Sequence, residues 1–224
     1  YNFTIPPCYY ETQKAIGMKR VGVNGRLVPF FKAVCIYFTV GSGGAPSVSV
    51  AAFKCAPVLC LLLGVLAGPR GRYAQCVAAG LALSAAGDAL LVWPQHFVAG
   101  MAAFALAHVA YIGAFGWRPL RLRGAAAGCA AAALYLRALS PPGALRALVP
   151  PYAALLATMA WRGAARPGPQ RPGALLFLIS DAILGYSLFG GSVPYKQVLV
   201  MSTYYSGQLG IALSALQRPQ SVAQ

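Results

Sequence analysis

Two aspartates, Asp88 and Asp181, lie inside long apolar stretches of a chain whose only other carboxylate is Glu11. A pair of buried carboxyl groups is the minimum equipment for acid–base hydrolysis. One gives a proton to the reacting group, and the other steadies the cation that forms and activates water. Such a pair works at neutral pH when its two environments differ enough to keep one member protonated and the other ionised. An ionised Asp at the centre of a bilayer costs roughly 3 kcal/mol, so an aspartate there marks a functional site by default. Lys54, His108, Tyr111 and Tyr204 are the polar residues placed to line that site or bind its substrate. Lys54 has two readings, a structural counter-ion for Asp88 or a member of the site. His108 is either a lining residue or a core histidine bonded to a carbonyl. Tyr111 and Tyr204 suit packing as well as lining, and Tyr205 reads as a packing residue turned toward lipid.

The elements that must position these groups are membrane helices. Of the 224 residues, 58% are hydrophobic and 9% charged, against roughly 25% charged in a soluble domain. A membrane helix needs about 20 mostly apolar residues. Eight stretches qualify: 27–44, 48–67, 73–93, 97–116, 124–139, 145–162, 173–191 and 195–216. The second, third, fourth, seventh and eighth are strong. The first carries Lys32, placed to snorkel to the surface, and the sixth contains Pro150-Pro151. The expected fold is all-α, with residues 27–218 forming one membrane domain, 1–26 a polar N-terminal segment and 219–224 a short tail. Residues 1–26 are too polar for the apolar core of a signal peptide, and their Asn2-Phe3-Thr4 sequon falls on the cytosolic side of the topology below.

Loop charge tests the span count. On one side of the membrane lie Lys14, Lys19, Arg20, Arg26, Arg70, Arg72, Arg118, Arg121, Arg123, Arg162, Arg166, Arg171 and Arg218, 13 cations in all. The other side holds three, Arg137, Arg146 and Lys196. That asymmetry implies cytosolic termini. It also argues against nucleic acid as the partner of a chain with net charge +15, since the cations alternate with apolar runs and form no aromatic-interleaved face. Trp93 and Trp117 suit interfacial anchors, and His96 a short solvated loop. The six cysteines show no Cys-x-x-Cys spacing and five sit in apolar runs, which favours small apolar helix residues over a disulfide framework or a zinc site.

Measured from the cytosolic end of each span at about 1.5 Å per residue, Asp88 lies about 22 Å deep, Lys54 about 20 Å, Tyr204 about 18 Å, and Asp181 and His108 about 12 Å. Five polar groups on five helices at comparable depth predict one hydrated cavity. Gly87-Asp88-Ala89-Leu90-Leu91 is also similar to Ser180-Asp181-Ala182-Ile183-Leu184, four spans later. A parallel four-plus-four repeat would produce that pattern.

At these residues the chain resembles the lysoplasmalogenase, or YhhN-like, family, and its vertebrate members of the endoplasmic reticulum most closely. The stretches that carry the likeness are Gly87–Pro94, Ala107–Gly116, Gly173–Asp181 and Thr203–Gln208, with Lys54-Cys55-Ala56-Pro57 matching a Lys-x-x-Pro of the second helix. They follow one another in order within about residues 27–218. The resemblance implies hydrolysis of the vinyl ether bond of lysoplasmalogens, to a fatty aldehyde and glycerophosphoethanolamine or glycerophosphocholine. It implies catalytic roles for Asp88 and Asp181, and site-lining roles for His108, Tyr204 and Gln208. The expected partners are a lysophospholipid, whose phosphate the basic cytosolic loops would attract, and the bilayer.

Vinyl ether hydrolysis suits two carboxyl groups and calls for no cofactor or metal. A zinc-dependent intramembrane hydrolase needs about three His ligands, and the chain has only His96 and His108. The Tyr-Asp and Gly-x-Gly-Asp motifs of intramembrane aspartyl proteases are missing at Ser180-Asp181 and Ala85-Ala86-Gly87-Asp88. The reading of a different class is a proton-coupled transporter, for which paired membrane aspartates and a parallel repeat also serve.

Overall fold

The computed structural model describes residues 25–41, 44–68 and 70–217. Eight helices and no strand occur among them. The first, α1, covers residues 25–36 and runs into a π turn, Tyr37–Gly41. The others are α2 (Val48–Leu66), α3 (Arg72–Leu90), α4 (Phe97–Phe115), α5 (Leu122–Arg137), α6 (Leu145–Ala164), α7 (Gln170–Phe189) and α8 (Lys196–Leu216). Each falls within or beside one expected span. Residues 1–24 and 218–224 lie outside the described residues, and with them Cys8, Glu11, the sequon and most of the expected N-terminal segment and tail.

The chain is a polytopic membrane protein. α2, the stretch Pro94–Phe115 that ends in α4, and α7 are each long and apolar enough to cross a membrane. α3 and α8 read as strong spans above, yet their apolar character is diluted by polar residues. Ser84 and Asp88 on α3, and Gln208 and Ser214 on α8, are all buried. In a membrane bundle such residues turn inward and join helices by hydrogen bonds. Lys32 on α1 is exposed, as expected of a snorkelling cation.

Local chemistry sets several helix ends. Ser47 caps α2 by accepting a hydrogen bond from the Val50 amide at 3.3 Å, which satisfies one of the free first-turn donors. α4 stops at Gly116, whose φ of +71° costs glycine little and a residue with a Cβ much more. Arg162 then holds the following loop, donating to the carbonyls of Gly116 at 2.6 Å and Pro119 at 2.9 Å.

The helices pack as two related sets of four. α3 packs on α2 and α4 in the first set, as α7 packs on α6 and α8 in the second. Across the sets, α2 meets α8 and α4 meets α6, which is one relation read in both directions. That crosswise pattern fits the parallel repeat expected from the two aspartate segments. α7 and α8 cross closely where Gly173, Gly207 and Gly210 meet backbone to backbone. Small residues at such a crossing are how membrane helices gain packing where lipid supplies no hydrophobic drive.

Candidate active site

Each aspartate is held by one residue from the second helix of its own set and one from the fourth helix of the other. Asp88 on α3 has Lys54 of α2, with Nζ 3.5 Å from Oδ1. It also accepts a 2.6 Å hydrogen bond on Oδ2 from the hydroxyl of Tyr204, on α8. Asp181 on α7 accepts a 2.6 Å hydrogen bond on Oδ2 from the hydroxyl of Tyr152, on α6. His108 of α4 places Nε2 3.7 Å from the same oxygen and 3.3 Å from the Tyr152 hydroxyl. The repeat thus puts the two carboxyl groups in corresponding frames with different chemistry, an ammonium for one and an imidazole and phenol for the other.

A relay of hydrogen bonds stands behind Asp88. Tyr111 donates to Gln208 Oε1 at 2.7 Å, and Gln208 Nε2 donates to the Tyr204 hydroxyl at 3.2 Å. The amide orientation of Gln208 follows from this order, since only its oxygen can accept from Tyr111 while its nitrogen donates. Between the two aspartate frames sits the fully buried ring of Phe177. It meets His108 at 5.1 Å and Tyr204 at 5.4 Å between centroids, both edge to face. A rigid aromatic hub shared by both frames fixes the rotamers of the residues that orient the carboxyls.

Asp88, Asp181, Lys54, Tyr204 and Tyr152 line one cavity of about 500 Å³ whose remaining wall is almost wholly apolar. Four of the predicted site residues therefore share a single space. His108, Tyr111 and Gln208, expected as lining, do not reach the cavity wall. They are buried behind it: His108 contacts Tyr152 and Asp181 of the wall, Gln208 contacts Tyr204, and Tyr111 reaches the wall only through Gln208. Tyr205, read as lipid-facing, is 2% exposed. Its ring packs edge to face on Tyr37 at 5.4 Å, and its hydroxyl donates to the Lys54 carbonyl at 2.8 Å. This contact falls beside Pro57, which has no N–H to give the α2 ladder. Tyr205 thus holds the backbone that carries Lys54.

Tyr152 was not singled out by the sequence. The signal was present, because Tyr152 lies well inside the sixth span. Pro150-Pro151 weakened the sixth span as a membrane helix, yet α6 runs through both prolines from Leu145 to Ala164. Among the described residues no three His, Cys, Asp or Glu side chains converge as metal ligands would.

Comparisons with known proteins give the family. A model of the YhhN family matches residues 49–215. Lysoplasmalogenase TMEM86B of Homo sapiens is 42% identical over 200 residues, which cover 86% of this chain and 87% of that protein. Lysoplasmalogenase TMEM86B of Sus scrofa is 42% identical over 207 residues, 90% of this chain and 91% of that protein. Lysoplasmalogenase TMEM86A of Bos taurus is 39% identical over 218 residues, 88% and 91%. No solved structure shows a detectable match. With the family model spanning α2 to α8 and enzymes matching along nearly the whole chain, this protein belongs to the YhhN family.

Proposed function

We propose that the protein is a lysoplasmalogenase that cleaves the vinyl ether bond inside the membrane, with Asp88 and Asp181 as its acid–base pair. The observation that carries this reading is the pair itself: two carboxyl groups, each in its own hydrogen-bonded frame, facing one apolar cavity. The relatives' names supply the substrate class, and the cavity suits a single-chain lipid.

The difference between the two frames supports a division of roles. Asp88 lies against Lys54, whose ammonium favours the carboxylate form. Asp181 receives both of its contacts on Oδ2, which leaves Oδ1 free to present a proton to substrate in this reading. In the first step that proton passes to the vinyl carbon β to the ether oxygen, leaving an oxocarbenium ion. The Asp88 carboxylate steadies this cation and takes a proton from the water that adds to it. The product is a hemiacetal. Its C–O bond to glycerol breaks as its hydroxyl becomes the aldehyde carbonyl, and the proton released leaves with the glycerol oxygen. Return of the Asp88 proton to Asp181 through water resets the pair. General acid–base steps of this kind typically contribute about 10²–10⁴ in rate.

The test is purified protein with a 1-alkenyl lysophosphoethanolamine, followed by aldehyde detection. Aldehyde should appear, and the alkyl-ether analogue should give none, because it has no vinyl carbon to protonate. Turnover should survive a metal chelator. Solute transport in liposomes without aldehyde would replace this reading with the transporter.

We infer that both termini lie in the cytosol, on the split of 13 loop cations against three, and that the membrane is that of the endoplasmic reticulum, on the resemblance to vertebrate members of the family. A tag following Gln224 should be cut by protease outside sealed microsomes and spared by protease confined within them. The reverse pattern would invert the topology.

A further inference from the structure

The site cavity is far longer than the chemistry needs. It runs the length of α5 and α6, from Gly124 and Ala164 at one end, past the aspartates, to Leu139 and Phe189 at the other. On α6 the stretch from Tyr152, at the level of Asp181, to Ala164 rises about 18 Å. One leaflet of hydrocarbon is about 15 Å, half of a core about 30 Å thick. The channel on that side therefore has the length of one aliphatic chain.

Its walls suit such a chain. α5 turns Gly124, Gly128, Ala131 and Tyr135 to the cavity, a spacing that places them on one helix face. α6 faces them with Ala157, Ala160 and Ala164. Trp161 of α6 reaches across to Gly124 at one end, but these alanines are too small to meet α5 across the rest of the gap, and no residue of α5 is fully buried. Two bonds tie α5 and its C-terminal end to α7. Tyr135 donates to the Ala182 carbonyl at 2.8 Å, and the Ser140 amide donates to the Phe189 carbonyl at 2.8 Å. From Tyr135 back to Gly124, no hydrogen bond joins the two helices among the described residues. That untied stretch is where a chain could slide in sideways from lipid.

The opposite end is shorter and more polar. Beyond Tyr152 the cavity meets a second depression of about 330 Å³, with Leu139 and Val149 common to both. Ser140 and Arg146 line this second space. Arg146 is one helical stretch of about 9 Å from Tyr152, a span suited to a glycerophosphate whose ether oxygen sits at the aspartates.

Resting on the lysoplasmalogenase reading, we infer that the substrate's aliphatic chain lies between α5 and α6 along Gly124, Gly128 and Ala160, and that Gly128 sets the chain length accepted. The head group then points toward Arg146, away from the basic loops of the other membrane face. Gly128 is the decisive position because a Cβ added there meets nothing within 4 Å. A larger side chain enters empty channel rather than packed protein.

The experiment compares hexadecenyl and octenyl lysophosphoethanolamine on wild type, Gly128→Leu and Gly128→Ala. Ala130→Leu, on the exposed outer face of α5, is the control. Gly128→Leu should lower long-chain kcat/KM about 10-fold or more, the scale on which an apolar pocket rejects a misfit. Its octenyl turnover should stay near wild type, which also reports that the variant folds. Gly128→Ala should fall between, and Ala130→Leu should match wild type. An unchanged ratio of long-chain to short-chain turnover in either Gly128 variant overturns the inference, as does an equal loss on both substrates. Wild type that cleaves neither substrate refutes the proposed function instead.

Discussion

Asp88→Asn and Asp181→Asn should each abolish aldehyde release while leaving the protein folded in the membrane. Asn keeps the size of Asp and one carbonyl oxygen. Tyr204 can still donate to position 88 and Tyr152 to position 181, so the 2.6 Å contacts have an acceptor to keep. What disappears is the acidic proton at one site and the negative charge at the other. Loss of a general acid or base is worth about 10²–10⁴ in rate, far above assay error. The two substitutions differ in their side effects. Asp181→Asn strands no cation when His108 is neutral. Asp88→Asn leaves the Lys54 ammonium, whose side chain is 17% exposed, without its anion. Breaking a buried pair from one side can cost about 3–5 kcal/mol. Lys54→Met combined with Asp88→Asn removes that penalty. It should recover thermal stability without activity. Recovery of both together would show that Asp88 is a structural counter-ion, and full activity in either folded single variant would remove that aspartate from the mechanism.

The sequence disclosed the aspartates because charge is rare at membrane depth, and a rare signal stands out against an apolar background. The same rarity exposed Lys54, and depth put Lys54, Asp88, Tyr204, Asp181 and His108 within about 12–22 Å of the cytosolic end of their spans. Helix rotation was another matter. In a soluble helix the buried face is apolar and the exposed face polar, but here lipid-facing and core-facing surfaces are equally apolar. Tyr205 therefore read as lipid-facing although it is buried, and nothing in the pattern said that His108 stands behind Tyr152 rather than beside the cavity. Tyr152 itself is a residue type that packs as often as it reacts. Its role becomes visible only through the repeat, which gives it the place relative to Asp181 that Lys54 has relative to Asp88. The five-residue likeness between the two aspartate segments was legible; the partners it implies needed the helix contacts.

Gly207→Ala should cost both stability and turnover, because a single methyl at this position has nowhere to go. Its carbon would lie 2.9 Å from the Phe177 amide nitrogen, 3.0 Å from the Gly173 carbonyl oxygen and 3.2 Å from the Phe177 Cα. All three neighbours are backbone, so relief requires α7 and α8 to separate rather than one side chain to rotate. Overpacking of a tight core costs about 1–3 kcal/mol. The functional loss follows from what these helices carry. Tyr204 sits one turn from Gly207 on α8, and Phe177, Ser180 and Asp181 follow Gly173 on α7. Ser180 donates across the interface to the Val200 carbonyl at 2.9 Å. Moving α8 outward pulls Tyr204 from both Asp88 and the Phe177 ring, and moving α7 instead shifts Phe177 against His108. A displacement near 1 Å at a catalytic group can cost about 10²-fold, so kcat/KM should fall on that scale alongside a lower melting point in detergent. Gly113→Ala is the matched control. Gly113 lies on the exposed face of α4, and its added Cβ would meet only the Cys76 Sγ at 3.9 Å. Its stability should change by less than about 0.5 kcal/mol, with turnover intact. Gly207→Ala that melts and turns over like wild type would mean that α7 and α8 do not cross this closely, and the positioning of Tyr204 by that crossing would fall with it.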